Sequence, residues 1–428
     1  MNDFEIVNSL DKTVEQNKLN LSSEKAVDII YQPQATFQVY PVVRCTSSIE
    51  GHTEAVISTQ FSPDSRSLAS GSGDTTVRIY DVDTETPRFV CKGHHNWVLC
   101  ISWSPNGRKL ASACKSGVIQ LWNPNTGKQL LGKKNGMTGH KQFVTCLQWQ
   151  PLHLDASSRL LASSSKDCTI RIWDTVLGQC QLIMSGHGDS VTCIRWCGSG
   201  ILYSGSHDRT VRSWDTKTGS MLQQFNGHAH WINSLTMSTD YLLRTGFFEP
   251  AAAEKCRDYS ESHDDELKRL AQVRYDTFIK TMGHVRLVSG SDDFTMYLWN
   301  PEKSLKPVAR LTGHQQPINH VVFSPDGRLI ASASFDRSVK LWNGRNGQFI
   351  ASLRGHVGRV YQIAWSADSR LLVSGSSDST LKVWNIGQRK LSFDLPGHAD
   401  EVYAVDWSSD GQRVVSGGKD KALRVWRR

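Results

Sequence analysis

The stretch LYSGSHDRTVRSWD at residues 202–215 decides the fold of this 428-residue chain. It brings Ser204, Ser206, His207 and Asp208 within five positions, and these are the residue types of a hydrolytic triad. A catalytic triad is needed once per active site, whereas a hydrogen-bond network that holds a fold is needed once per structural unit. The number of copies of this pattern therefore separates a catalytic from a structural interpretation.

The pattern occurs eight times along the chain. Each copy opens with a Gly-His pair, and the histidines are His52, His94, His140, His187, His228, His314, His356 and His398. Each copy closes with an aromatic residue, and these are Tyr80, Trp122, Trp173, Trp214, Trp299, Trp342, Trp384 and Trp426. A serine precedes a turn aspartate by four residues in every copy except the second, which has Ser116 at the turn. We therefore interpret SGSHD as structural and predict no catalytic residue.

The copies also agree in length and in their turn residues. The His-to-aromatic spacing is 28 residues in five copies, 33 in the third, 27 in the fourth and 71 in the fifth, which therefore carries an insertion of about 43 residues. Each copy contains four short apolar runs separated by turn residues, a pattern typical of four β-strands. The Gly-His start, the closing aromatic residue and the four predicted strands of each copy resemble the WD40 repeat. Eight copies imply an all-β, eight-bladed β-propeller.

In WD40 proteins the Gly-His histidine, a strand serine, the turn aspartate and the tryptophan form a hydrogen-bond network. The resemblance maps that network in the fourth repeat onto His187, Ser204, Asp208 and Trp214. His207 has no counterpart in the other copies, so we expect it on the surface.

Two segments depart from the repeat. The last copy ends at ALRVWRR, one strand short, and an unpaired strand edge invites aggregation. We predict that ATFQVYPVVR at 35–44 supplies the missing strand. The propeller would then span 35–428, and residues 35–48 would be its closing segment.

Residues 241–285 interrupt the fifth repeat. Leu267, Leu270, Val273 and Phe278 are spaced as one helical face, which predicts a helical insertion opposite the Gly-His turns, with a solvated loop as the alternative.

The face with the Gly-His and Asp turns is the predicted partner surface, since propellers carry function in their loops. The third residue after each histidine varies widely: Ala55, Trp97, Phe143, Ser190, Trp231, Pro317, Arg359 and Glu401. The fourth is always Val or Ile and is predicted to be core. A basic and aromatic collar flanks the turn aspartates: Lys166, His207, Arg209, Phe294, Phe335, Arg337, Lys419 and Lys421.

Aromatic anchors among arginines and lysines suit either an acidic peptide or RNA with splayed bases. We predict partner contacts from the following rim residues: Trp97, Phe143, Trp231, Arg359, Arg209, Phe294, Phe335, Arg337 and Lys421. The alternative is that Trp97 and Trp231 pack beneath loops.

Composition limits the remaining function classes. No run approaches about 18 apolar residues, and the first residues lack a signal-peptide pattern, so we expect an intracellular protein without a membrane partner. Ten cysteines are scattered without a CxxC pair or metal-ligand spacing, which indicates reduced thiols and no metal site. The net charge of +8 is dispersed and gives only slight support for an anionic partner such as RNA. We expect a monomer with no cofactor and no small-molecule substrate.

Four longer phrases resemble one family: YQPQATFQVYPVVRC, GHHNWVLCISWSP, HAHWINSLTMSTDYLLRTG and LPGHADEVYAVDWSSDGQRVVSGGKDKALRVW. They resemble the Notchless family of WD40 ribosome-assembly factors from about residue 31 to the C-terminus. This implies a non-catalytic ribosome biogenesis factor of the nucleolus and nucleus that docks on precursors of the large (60S) ribosomal subunit.

The resemblance also implies an N-terminal ubiquitin-like domain, whose acidic residue engages the AAA+ ATPase midasin. Only about 30 residues precede YQPQ, too few for that fold, so we expect 1–34 to be a linker or remnant of the domain. The acidic residue cannot be placed, and midasin coupling is not expected.

Two alternatives belong to other functional classes. One is a WD40 adaptor in a ubiquitin-ligase or Notch-type signalling complex. The other is an enzyme, which requires a unique polar constellation outside the repeat pattern, and we find none in the sequence.

Overall fold

The computed structural model describes residues 37–131, 136–249 and 264–428. The chain divides into two compact units, Met1–Gln38 and Val39–Arg428, and the second contains every strand of the described residues. The ubiquitin-like remnant expected at 1–34 lies outside the described residues.

The strands form eight sheets. Blade one is β2 (Val56–Phe61), β3 (Ser67–Ser72), β4 (Thr76–Asp81) and β5 (Pro87–Lys92); blade two is β6 (Val98–Trp103), β7 (Leu110–Cys114) and β8 (Ile119–Trp122). Blade three is β9 (Val144–Trp149), β10 (Leu160–Ser165), β11 (Thr169–Asp174) and β12 (Gln179–Ser185); blade four is β13 (Val191–Trp196), β14 (Ile201–Ser206), β15 (Thr210–Asp215) and β16 (Met221–Asn226).

The other four blades follow the same antiparallel order. Blade five is β17 (Ile232–Met237), β18 (Leu287–Ser291), β19 (Thr295–Trp299) and β20 (Ala309–Thr312); blade six is β21 (Ile318–Phe323), β22 (Leu329–Ser334), β23 (Ser338–Asn343) and β24 (Phe349–Arg354). Blade seven is β25 (Val360–Trp365), β26 (Leu371–Ser376), β27 (Thr380–Asn385) and β28 (Lys390–Pro396); blade eight is β29 (Val402–Trp407), β30 (Val414–Gly418), β31 (Ala422–Arg427) and β1 (Arg44–Glu50).

The innermost strands of neighbouring blades pack against each other around the ring, and β29 packs against β2, which confirms the predicted eight-bladed propeller. The second strand of each blade is almost wholly buried between neighbouring blades. Small residues permit this close approach: a Cβ added at Gly71 would come within 2.8 Å of Val98 Cγ1. The apolar cores therefore lie between blades.

The predicted network of the fourth repeat is present as hydrogen bonds. His187 Nδ1 lies 2.7 Å from Asp208 Oδ2, and His187 Nε2 lies 2.7 Å from Ser204 Oγ. Trp214 Nε1 donates to the same hydroxyl at 2.8 Å. Burial opposes ionisation of Asp208, but hydrogen bonds from His187 and Thr210 outweigh it and lower the pKa of this carboxyl. The network ties the Gly-His loop to the second and third strands and to the turn between them.

Blade two contains an incomplete network. His94 Nε2 lies 2.7 Å from Ser112 Oγ, and Trp122 Nε1 donates to that hydroxyl at 2.8 Å. His94 Nδ1 is buried and has no hydrogen-bond partner among the described residues, because the turn position is Ser116. Burial, together with nearby His95, lowers the pKa of His94 to about 4. An unpaired buried polar group of this kind costs about 1–3 kcal/mol.

The closing strand lies at Arg44–Glu50, later than the strand predicted at 35–44 and overlapping the predicted closing segment 35–48 at residues 44–48. It pairs antiparallel with β31, with Glu50 opposite Ala422. Pro41 lacks an N–H for a ladder, and the apolar Val39 and Val42 are buried outside the strand. The residues of β1 alternate between exposed and half-buried, as expected at the outer edge of a blade, and their polar sequence gave little strand signal.

The insertion contains two helices, α1 (Asp240–Thr245) and α2 (Asp264–Met282), so the helical prediction holds for its described part. The predicted face is wrong at Val273, which is 55% exposed, while Leu267, Ala271 and Met282 are buried. Val273 lies two residues beyond Ala271 and so falls on the far side of the helix. Tyr275 stacks on His153 at 4.6 Å between ring centroids. Since His153 follows an innermost strand, α2 lies opposite the Gly-His turns, as predicted.

The short helix α1 lies across that end of the central channel. Asp240 Oδ2 accepts from Arg195 Nε at 2.9 Å, and Arg244 Nη1 donates to Asp406 Oδ1 at 2.7 Å. Arg195 and Asp406 belong to innermost strands of blades four and eight, on opposite sides of the ring. A cavity of about 270 Å³ lies beside α1 and is lined by both polar and apolar side chains, among them Gln148 and Trp149. The insertion therefore joins opposite blades through ion pairs.

We predict that β1 is required for a stable ring. A chain beginning at Val39 retains β1, whereas one beginning at Gly51 leaves the β31 edge unpaired. The shorter chain should melt at a lower temperature and aggregate as its concentration rises, measured by calorimetry and light scattering. Equal melting temperatures for the two chains would contradict closure by β1.

We predict that Ser116→Asn and Ser116→Asp each raise stability by about 1 kcal/mol, because each offers His94 Nδ1 an acceptor. His94 stays neutral when folded but has a pKa near 6.5 when unfolded, so wild-type stability should fall as pH drops from 6.5 towards 4. A carboxylate favours the protonated imidazole and should reduce that loss, so the Asp variant should gain more at about pH 5 than at about pH 7.5.

Thermal melts of both variants at the two pH values provide the measurement. Ser112→Ala, which removes the hydroxyl shared by His94 and Trp122, is the control and should destabilise. If neither Ser116 variant melts above wild type, the unpaired nitrogen has no energetic cost.

Candidate functional site

The candidate site is the face formed by the Gly-His loops and by the turns between the second and third strands, which we call the turn face. Trp97 is 50% exposed, Trp231 45% and Phe294 42%. The two tryptophans therefore lie on the surface and do not pack beneath loops. Arg209, Arg337, Arg359 and Lys421 are also exposed, while Phe143 and Phe335 are half-buried.

Four predicted rim residues share one unusual backbone conformation. They directly follow the turn aspartates and have positive φ angles: Arg209 (70°), Phe294 (66°), Arg337 (68°) and Lys421 (66°). This left-handed region is sterically costly for residues with a Cβ and is easiest for glycine. Blade two alone has glycine there, Gly117. The turn thus holds long side chains outward at a conformational cost.

Cations lie over aromatic rings at three points of the turn face. Lys115 Nζ is 4.8 Å from the ring centroid of Trp97, and Lys166 Nζ is 5.4 Å from that of Phe143. The guanidinium carbon of Arg359 is 5.3 Å from the ring centroid of Phe335. The rim therefore combines apolar area with positive charge, and each cation is held beside its ring by a cation–π interaction.

His207 was predicted to be a surface residue, and this is only partly right. Its ring stacks on Trp231 with centroids 4.5 Å apart and an interplanar angle of 16°. Burial beneath the indole lowers the pKa of His207 below its usual value. His207 therefore supports the exposed Trp231 from one side.

Two tyrosines form a cluster that the sequence analysis missed. Tyr403 Oη donates to Glu401 Oε2 at 2.9 Å, and Tyr361 Oη donates to the same oxygen at 3.3 Å. The Tyr361 ring lies 5.5 Å from that of Tyr403 and 5.9 Å from that of Phe335. Burial and Glu401 raise the pKa of Tyr403 to about 12. Both tyrosines stand five residues after a Gly-His histidine, directly after the valine that begins the innermost strand.

The turn face presents exposed aromatic and cationic side chains, which suit noncovalent contacts with a partner. Ser204 is fully buried and accepts a hydrogen bond from Trp214, so its hydroxyl is not placed to attack a substrate. Among the described residues, no group of three or more His, Cys, Asp or Glu side chains is arranged to hold a metal ion. Neither described helix is long and apolar enough to cross a membrane.

Comparisons with known proteins agree with this architecture. The WD domain, G-beta repeat family matches residues 43–81, 85–123, 132–174, 178–215, 305–343, 347–385 and 389–427, which leaves out only the interrupted fifth repeat. The crystal structure of the computationally designed Ika8 protein is similar, with a TM-score of 0.68 and 27% identity over 89% of this chain and 98% of that one.

Three natural relatives are more similar in sequence. Protein Notchless of Drosophila melanogaster is 53% identical over 76% of this chain and 65% of its own length. The Notchless protein homolog of Arabidopsis thaliana is 54% identical over 82% of this chain and 71% of its own. Ribosome assembly protein 4 of Saccharomyces cerevisiae is 52% identical over 77% of this chain and 64% of its own. The match thus spans about two thirds of each relative, and on these identities the chain belongs to the Notchless family of WD40-repeat proteins.

Proposed function

We propose that this protein is a non-catalytic ribosome assembly factor whose turn face docks on precursors of the large ribosomal subunit. Family membership supports the process, since relatives at 52% and 49% identity are named Ribosome assembly protein 4. The turn face supports the mode of action, and the observation that carries it is the exposure of Trp97 and Trp231 beside cationic side chains. Exposed tryptophans and arginines are the residues that most often dominate binding energy at interfaces.

The two ends of the propeller differ in their availability. The end opposite the turn face is covered by α1 and α2, which use their buried residues on the blades themselves. The turn face has no such cover among the described residues. Its rim carries the exposed side chains of Trp97, Trp231 and Phe294. These features favour the turn face as the docking surface.

The rigidity of the ring also suits docking. Each anchor lies within a few residues of a buried histidine network, so its position is fixed before a partner arrives. Anchors that are already ordered lose little conformational entropy on binding. The turn face can therefore act as a preformed platform on a large particle.

The cellular place of action follows from the proposed process. Early assembly of large-subunit precursors takes place in the nucleolus and nucleus, so we propose that this protein acts there. The resemblance also implies coupling to midasin through a ubiquitin-like domain. That contact is not assigned to any residue of the propeller, and the expected remnant at 1–34 lies outside the described residues.

An adaptor role in a ubiquitin-ligase or Notch-type signalling complex is the second candidate. The Tyr361–Tyr403–Glu401 cluster favours it, because a half-buried aromatic group with a fixed carboxylate could hold a short peptide. The two functions differ in their salt dependence. Binding through rRNA phosphates should weaken steeply with salt, whereas an apolar peptide contact should not.

We predict that Trp97→Ala, Trp231→Ala and Arg359→Glu each weaken association with large-subunit precursors by about 2 kcal/mol or more, because each removes an exposed anchor. The measurement is the fraction of protein that co-sediments with precursor particles. Val273→Ala, at an exposed position on α2, is the control and should sediment as wild type does. If all three rim variants also sediment normally while keeping their melting temperatures, docking through the turn face is wrong.

A further inference from the structure

Blade two differs from the other seven blades at the turn face. Its turn residue is Ser116, where the others have an aspartate, and Ser116 is exposed. His94 Nδ1 is consequently buried without a partner among the described residues. In the other seven blades this nitrogen lies 2.7–3.0 Å from the turn carboxylate. The substitution leaves a polar atom unsatisfied, so packing does not account for it.

The substitution also changes the surface charge of the turn face. Each of the other turns carries an aspartate near the rim, whereas the serine of blade two carries no charge. The change lies next to Lys115, whose ammonium group is held 4.8 Å from the exposed Trp97 ring. Blade two therefore has a cation, Lys115, and a half-exposed indole, Trp97, side by side. The turn next to them carries no carboxylate.

Blade three continues this surface. The turn of blade two abuts the Gly-His loop of blade three so closely that a Cβ at Gly117 would come within 2.8 Å of the His140 carbonyl oxygen. That loop carries exposed Lys141 and half-buried Phe143, with Lys166 Nζ 5.4 Å from the Phe143 ring centroid. Trp97, Lys115, Lys141, Phe143 and Lys166 therefore form a continuous surface, which we call the blade-two arc.

Blade three keeps its turn carboxylate, so within this arc only blade two lacks that negative charge. Asp167 has a side chain only 7% exposed, and it accepts hydrogen bonds from Thr169 and from the Lys141 backbone N–H while pairing with His140. Blade eight contrasts with the arc, because Lys419 Nζ lies 3.3 Å from Asp400 Oδ2 and Glu401 adds a further carboxylate. Among the described residues the lysines that form ion pairs are Lys382 and Lys419, so the ammonium groups of Lys115, Lys141 and Lys166 pair with no carboxylate.

We propose that the blade-two arc binds single-stranded RNA, with bases stacked on Trp97 and Phe143 and phosphates neutralised by Lys115, Lys141 and Lys166. This inference rests on the proposed function and identifies the chemical class that part of the turn face contacts. Aromatic platforms alternating with cations are the usual means of holding unpaired nucleotides. An aspartate at position 116 would repel a phosphate at Lys115, and its absence leaves His94 unpaired.

An acidic peptide fits the arc less well than RNA. A peptide would use the lysines but would leave the flat, half-exposed indole of Trp97 without a stacking partner, whereas every nucleotide supplies both a π-face and a phosphate. A poly-glutamate peptide of similar charge is therefore the appropriate competitor in the test.

Four variants of the full chain separate charge from stability and position. Ser116→Asp adds an acceptor for His94 and a negative charge, whereas Ser116→Asn adds the acceptor alone. Gln315→Glu adds one charge at an exposed position on the turn face of blade six and is the matched control. Trp97→Ala removes the stacking platform. Binding is measured by fluorescence anisotropy with labelled oligouridine and oligoadenine of about a dozen nucleotides, over a range of salt concentrations.

We expect Ser116→Asp to bind both oligonucleotides about fivefold more weakly at low salt, and Trp97→Ala about tenfold more weakly. Ser116→Asn and Gln315→Glu should bind as wild type does. Oligonucleotide binding that is equal in Ser116→Asp and Ser116→Asn would overturn the inference. So would tighter binding of poly-glutamate than of RNA.

Sedimentation of Ser116→Asp with precursor particles distinguishes this inference from the proposed function. Weaker oligonucleotide binding with unchanged sedimentation supports the RNA surface and contradicts docking through it. Unchanged oligonucleotide binding contradicts the RNA surface, and normal sedimentation of the same variant then leaves docking to other residues of the turn face.

Discussion

The hydrogen bonds of the Gly-His histidine to a strand serine and a turn aspartate are the interaction on which the rest of the structure depends. In the fourth blade His187 joins the Gly-His loop, the second strand and the following turn, while Trp214 donates to the same serine hydroxyl. These groups are buried, so each must find its partner within the blade. The repeated pattern that suggested catalysis therefore gives the blades a common geometry, which blade two keeps through His94, Ser112 and Trp122 alone.

This constraint also determines where binding residues can vary. Because the network fixes the loop and the turn, only their outward positions are free to change, and these carry Trp97, Trp231 and the left-handed Arg209 and Phe294. Blade two is the single blade in which the turn aspartate of the network is replaced, by Ser116. Ser116 leaves a buried nitrogen unpaired, and under the RNA-binding inference this loss is offset by a gain at the surface.

The sequence predicted those parts of the fold that the repeat specifies, and missed those that depend on single departures from it. The Gly-His and Trp spacings predicted eight blades and the place of the insertion, since both are fixed by the period. The closing strand was misplaced because an outer strand is polar, while apolar Val39 and Val42 pack without a ladder. The Tyr361–Tyr403 cluster was missed because both tyrosines stand five residues after a Gly-His histidine, one position beyond the third and fourth residues from which the rim and core were predicted.

The most direct test of docking through the turn face is a density map of this protein bound to a large-subunit precursor. We predict that the turn face lies against the particle, with rRNA at Trp97 and Lys115 and with α2 facing solvent. A map in which α2 and the turns beneath it lie against the particle, while the turn face is free, would show that recognition does not lie where the histidine networks present their outward side chains.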